Sequence, residues 1–166
     1  FTLPGINSIS LDTHKYGYSP KGSSIIMYNN KDLAHFQYHV EPNWPGGIYI
    51  SPNMTGSRSG MIIAGTWTSL MSNGLEGYLN KTGAILEVVK YIEKCINDIK
   101  EIYLMAKPDT TVVSFSSKYF NIYLLGDLLN KRDWNLNILQ SPPAIHICIT
   151  DVHDMDLAKK FIEDIK

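Results

Sequence analysis

The sequence predicts a mixed α/β chain in two regions, on three observations. Short apolar runs separated by Gly, Pro and Asn turn signals fill residues 1 to about 73. A long stretch with apolar residues at spacings of three and four follows, and the remainder reads strand, strand, helix, repeated. The chain has 166 residues, 44% hydrophobic and 19% charged, which gives it enough apolar side chain for a sizeable core.

The elements follow in order. "FTLPGINSIS" has no initiator methionine and runs at once into a strand-like alternation of Ile6, Ser8, Ile9 and Leu11, so it reads as the interior of a larger protein. "SSIIMYN" (Ser23 to Asn29) and "GGIYISP" (Gly46 to Pro52) are strand candidates bounded by turn residues. "MIIAGTWTSLM", within Gly60 to Met71, is apolar nearly all round and predicts a buried helix. From Glu76 to Lys100, Ile85, Val88, Val89, Ile92, Ile96 and Ile99 line one face of a long amphipathic helix, with Lys90, Glu93 and Lys94 between them. Strands are expected at Ile102 to Met105, Thr111 to Ser116, Trp134 to Leu139 and Ile145 to Thr150, and helices at Ile122 to Leu129 and Met155 to Ile165. Asp154 is the expected N-cap of the last helix, and Ala158, Phe161, Ile162 and Ile165 its apolar face. Together these make a small antiparallel sheet covered on one face by helices.

Composition also narrows function. Fifteen basic residues against sixteen acidic ones leave a net charge of −1, no electrostatic footprint for nucleic acid or an anionic membrane surface. No apolar run reaches the length of a membrane span. Cys95 and Cys148 are too few for a disulfide framework and read as small buried hydrophobes in a reducing compartment. His35 and His39 share a spacing that suits one helical face but suggest no third ligand, so no metal is expected. His146, between Ile145 and Ile147, reads as a core or interface histidine.

Lys15 carries the chemical interest. A lysine amine is a nucleophile only when deprotonated, which desolvation by apolar and aromatic neighbours or a nearby cation can bring about. Alone, the pair His14–Lys15 would say little. The longer string "SLDTHKYGYSPKGSS", Ser10 to Ser24, resembles the cofactor-lysine segment of the pyridoxal phosphate-dependent decarboxylase group, and within it the sphingosine-1-phosphate lyases. Two further blocks stand in register with that family: "GGIYISP" followed by "GSRSG" (Gly56 to Gly60), and "DWNLNILQSPPAIHICIT" (Asp133 to Thr150). The chain departs from the family at Asp133, where glycine is usual, and at Ser59, where proline is usual after the arginine.

The resemblance implies the C-terminal part of a fold-type I pyridoxal phosphate-dependent transferase. Residues 1–75 would end the large cofactor domain, 76–100 form a connecting long helix, and 101–166 a small α+β C-terminal domain. Pyridoxal 5'-phosphate would be held on Lys15 as a Schiff base, His14 would hydrogen-bond its phosphate, and Ser57 would reach the cofactor phosphate of the other subunit of a homodimer with shared active sites. Lys21 and Arg58 would face the substrate's phosphate; taken alone, Lys21 reads equally as a solvated turn lysine. The "GSRSG" loop has its own merit as an anion cradle, since small residues opening a helix leave N–H groups pointing outward and Arg58 adds a planar donor fork. Tyr49 would lie near the reacting carbon, where a phenol can hydrogen-bond or relay a proton; a buried core tyrosine is the competing reading.

The implied reaction is carbon–carbon cleavage of a phosphorylated long-chain base, sphingosine 1-phosphate, to a fatty aldehyde and phosphoethanolamine. Amino-acid decarboxylation, or a non-catalytic binding or assembly role for the same fold, are the alternatives. The family's ring-stacking aromatic or histidine, its ring-nitrogen aspartate and its glycine-threonine phosphate loop are expected from a missing N-terminal segment of the same protein. A soluble, cytosol-facing location is expected, with attachment to the endoplasmic reticulum membrane possible only through an upstream anchor.

Overall fold

The computed structural model describes residues 1–166, which divide into two compact units at Gly74/Leu75. In the first, β1 (Ser8–Leu11) pairs antiparallel with β2 (Ile25–Tyr28), from Ser8 opposite Tyr28 to Leu11 opposite Ile25. Residues 12–24 are therefore the loop of a β-hairpin, closed at its base by the Ser24 hydroxyl donating to the Leu11 carbonyl at 3.1 Å. A short helix, α1 (Lys31–His35), begins where the Asn30 side chain accepts from the Asp32 amide, a local cap favoured by asparagine's short carbonyl arm. A second hairpin joins β3 (His39–Glu41) to β4 (Tyr49–Ser51). Helix α2 (Gly60–Asn97) then starts, and is interrupted at Gly74. With φ 58° and ψ −177°, Gly74 lies in a region that only glycine enters readily.

Two expectations for this unit are corrected. His35 ends α1 and His39 opens β3, so the two histidines do not share a helical face. The first part of α2, residues 60–73, is not buried: Met61 is 76% exposed and Trp67 63%. The buried apolar side chains of the chain all lie between residues 85 and 162, and within residues 1–74 this helix is covered on the face that carries Ile62, Gly65, Thr66 and Ser69.

The second unit holds the core. Residues 75–97 of α2 contribute Ile85, Val88, Val89, Ile92 and Ile96, the stripe read from their spacing. A four-stranded antiparallel sheet follows, built from β5 (Tyr103–Leu104), β6 (Val112–Ser116), β7 (Asn137–Gln140) and β8 (Pro143–Cys148), in the order β5-β6-β8-β7. Val113 opposite Ile147 and Phe115 opposite Ile145 place four buried side chains on one face. Against the core pack α3 (Ile122–Asn130) and α4 (Met155–Ile165), and Phe161 meets the rings of Phe115 and Trp134 edge to face. As expected, Asp154 caps α4, accepting from the Leu157 amide at 2.8 Å.

Strand boundaries moved where backbone groups had other partners. Trp134 is not in a strand, because its N–H closes the end of α3 on the Leu129 carbonyl at 3.0 Å; β7 begins only at Asn137. This closure, with the Asp133 amide on the Asn130 carbonyl, puts Asp133 in the left-handed conformation at φ 67°. That geometry accounts for the glycine usual there in the family. Cys148 is exposed and Cys95 half-buried, so the reading of both as buried hydrophobes does not hold: Cys148 ends β8 on the side opposite the core residues Val113 and Ile147. His146 is half-buried on β8, and its buried Nδ1 has no hydrogen-bond partner.

Candidate active site

Asp12, His14, Lys15, Lys21 and Ser23 all belong to the 13-residue loop between β1 and β2. Its first half is a tight turn: the Lys15 amide donates to the Asp12 carbonyl at 3.0 Å, that of Tyr18 to Lys15 at 3.1 Å, and that of Ser19 to Thr13 at 3.1 Å. The path requires Gly17, since a Cβ there would collide with the Thr13 carbonyl oxygen. Tyr18 takes the left-handed conformation, φ 55°, uncommon for a bulky residue. Further along, Pro20 passes so close to α2 that a Cβ on Gly65 would stand 2.8 Å from its Cγ.

Lys15 is not desolvated as the sequence suggested. Its side chain is 65% exposed, and Nζ lies 3.1 Å from Asp12 Oδ2. A carboxylate three residues back, on a turn at the surface, pairs with the amine and leaves it within reach of a ligand. The hydrogen bond from Lys15 in turn lowers the Asp12 pKa below the usual carboxylate range.

His14 is anchored through Nδ1, 3.1 Å from the Ser23 carbonyl. A carbonyl can only accept, so Nδ1 carries the hydrogen and Nε2 is the nitrogen left for a ligand. Beneath the turn lies a group of hydroxyls that the sequence reading missed. Ser23 Oγ is 2.6 Å from Thr13 Oγ1, 2.9 Å from Thr66 Oγ1 and 3.4 Å from Ser19 Oγ. Thr13, Ser19 and Thr66 are all buried. The partners lie 10, 43 and 4 residues from Ser23, which explains why no local pattern announced them.

The "GSRSG" loop adjoins this region. Gly22, Ser23, Thr55, Ser57, Arg58 and Ser59 line a cleft of about 260 Å³, floored by Ile62 and Ile63 at the start of α2. Gly22 and Gly56 have φ of 102° and 61°, and the Asn53 side chain accepts from the Thr55 amide and hydroxyl, shaping the approach. Lys21 is exposed beside Gly22. Tyr49 stands apart from these contacts, on β4, with its ring against His39 and Trp44 at 6.4 and 6.0 Å. Larger clefts, of about 390 to 510 Å³, occur in the second unit and include none of the expected site residues.

An accessible primary amine, an imidazole nitrogen and a cleft with one guanidinium and several hydroxyls suit a phosphorylated aldehyde, so the residues present fit pyridoxal phosphate. No group of three or more His, Cys, Asp or Glu is placed to hold a metal, and no helix is long and apolar enough to cross a membrane.

Comparison with known proteins agrees with the family likeness. The whole chain is 47% identical to a sphingosine-1-phosphate lyase of Drosophila melanogaster and 42% identical to sphingosine-1-phosphate lyase 1 of Rattus norvegicus. The chain is thus similar, over its whole length, to a part of the sphingosine-1-phosphate lyases. It spans 31% and 29% of the length of those two lyases. The fold matches the structure of a Burkholderia pseudomallei sphingosine-1-phosphate lyase with a TM-score of 0.91 and 41% identity, over 98% of this chain and 37% of that one. A glutamate decarboxylase of Lactobacillus brevis shares the fold at a TM-score of 0.78 and 18% identity, covering 98% of this chain and 40% of its own. The fold is thus that of the pyridoxal phosphate-dependent decarboxylases and transferases. No protein-family model matches the chain.

Proposed function

We propose that this chain is the lysine-bearing part of a pyridoxal phosphate-dependent lyase that cleaves sphingosine 1-phosphate to a fatty aldehyde and phosphoethanolamine. The observation that carries the reading is the presentation of Lys15. Its amine stands accessible on a turn braced from beneath by buried hydroxyls, in a chain 42–47% identical to lyases of that name.

When bound, the cofactor supplies an acceptor for the electron pair released at the amine-bearing carbon. The chain's own residues do the rest. Asp12 holds the Lys15 ammonium in place until the amine gives up its proton and reacts. His14, through Nε2, and Ser57, across a homodimer interface, bind the cofactor phosphate. Arg58 and Lys21 take the phosphate of the substrate, the preference that separates a phosphorylated amino alcohol from an amino acid. A base removes the proton of the hydroxyl neighbouring the amine-bearing carbon, the carbon–carbon bond breaks to give the aldehyde, and that carbon then takes a proton, with Tyr49 near it as the relay. Groups that stack on the cofactor ring and pair with its nitrogen come from other segments of the protein.

The test uses the full-length protein loaded with pyridoxal phosphate and reduced with borohydride. The adduct is expected on the Lys15 peptide, and Lys15→Ala is expected to lose both adduct and turnover. An unmodified Lys15 peptide in the loaded protein would overturn the assignment. Carbon dioxide from an α-amino acid, with no aldehyde from the phosphorylated base, would make the protein a decarboxylase instead.

A further inference from the structure

The turn that presents Lys15 is strained at Tyr18 and exposed at its tip, a combination that persists only where surrounding structure over-determines it. Ser69 on α2 donates to the Gly17 carbonyl of the turn at 2.8 Å, and the other bracing side-chain contacts converge on one residue. The Ser23 hydroxyl meets Thr13 and Ser19, which bracket the turn and are joined by the Ser19 N–H donating to the Thr13 carbonyl. The same hydroxyl meets Thr66 on α2, so it ties the turn to a helix. Its own carbonyl takes the His14 Nδ1 hydrogen. Because Thr13, Ser19 and Thr66 are buried, removing the central oxygen takes from each a partner that solvent cannot replace, while Thr66 Oγ1 keeps its bond to the Ile62 carbonyl at 2.9 Å.

We propose that Ser23 is the positioning residue of the Lys15 turn. Its hydroxyl fixes residues 12–19 against α2, and its carbonyl sets the His14 ring, so that amine and imidazole are offered to the cofactor in one geometry. The proposal rests on the reading of Lys15 as the cofactor lysine, and deepens it. Ser23 acts through Thr13, Thr66 and His14.

The experiment compares Ser23→Ala, Thr66→Val and Thr66→Ser in the full-length protein. Hydrogen exchange of the Lys15, Tyr18 and Ser19 amides is expected to accelerate about tenfold in Ser23→Ala, while core amides such as Phe115 and Ile147 keep the parent rate. Pyridoxal phosphate affinity is expected to fall about tenfold. Thr66→Val should repeat both effects, the double variant should be little worse than either single one, and Thr66→Ser, which keeps the hydroxyl, should return to the parent values. Unchanged exchange in the turn overturns the proposal. So does exchange that rises equally in both units, since Ser23 would then matter only for general stability. If the parent protein binds no pyridoxal phosphate, the reading of Lys15 fails, and the exchange pattern by itself still decides the role of Ser23.

Discussion

Asp133→Gly is expected to stabilise the second unit. Asp133 occupies the residue just past α3, where the amides of Asp133 and Trp134 turn back to Asn130 and Leu129 and force φ to 67°. An L residue in the left-handed conformation costs about 1–2 kcal/mol, with aspartate toward the lower end, and glycine escapes this. Glycine also gains freedom in the unfolded chain, which returns about 0.5–1 kcal/mol of that advantage. Removing a negative charge from a helix C-terminus adds about 0.3 kcal/mol in the favourable direction. The net is a gain of roughly 0.5–1 kcal/mol. Native-state hydrogen exchange of the Val113, Phe115 and Ile147 amides should then slow by about two- to fivefold if those amides open only with the whole unit. Asp133→Asn separates the two contributions, because asparagine removes the charge and keeps a Cβ. Equal stabilisation by asparagine and glycine would refute the argument from backbone strain, and a destabilised glycine variant would refute the whole analysis of this position.

Other outcomes follow from contacts already described. Lys15→Ala should raise the Asp12 carboxyl midpoint back toward the usual range, as read by carbon-13 shifts. In the parent protein the folded-state value is the lower one, so whatever the ion pair contributes is present at neutral pH and is lost as pH falls through that lowered value. Gly65→Ala should destabilise by about 1–3 kcal/mol, measured by urea titration, because the new methyl meets the Pro20 ring. Asp164→Asn should cost about 1–3 kcal/mol and shift the Trp134 emission, since Asp164 accepts from Trp134 Nε1 at 2.8 Å and pairs with Arg132 at 3.2 Å. Phe161→Ala, which empties the space between Phe115 and Trp134, should cost about 3–5 kcal/mol by the same titration.

What the sequence discloses tracks how local the cause is. Helix α4 was legible to the residue because its cap, Asp154, and its apolar face all lie within twelve positions. The stripe from Ile85 to Ile96 was legible for the same reason. Strand β7 was displaced because Trp134 spends its N–H on the preceding helix, a choice invisible in an alternating pattern. The burial expected of Met61 and Trp67 failed because hydrophobicity states what a side chain avoids and not what covers it. At the site, the string around Lys15 pointed to the chemistry, whereas Ser23 was silent: serines are common in turns, and this one gains its meaning from Thr66, 43 residues away.

The way His14 is held fixes which edge of its ring is on offer. With Nδ1 committed to the Ser23 carbonyl, a ligand can be met only through Nε2, so a change that frees the ring to turn over would cost the choice between its two nitrogens and not the imidazole itself.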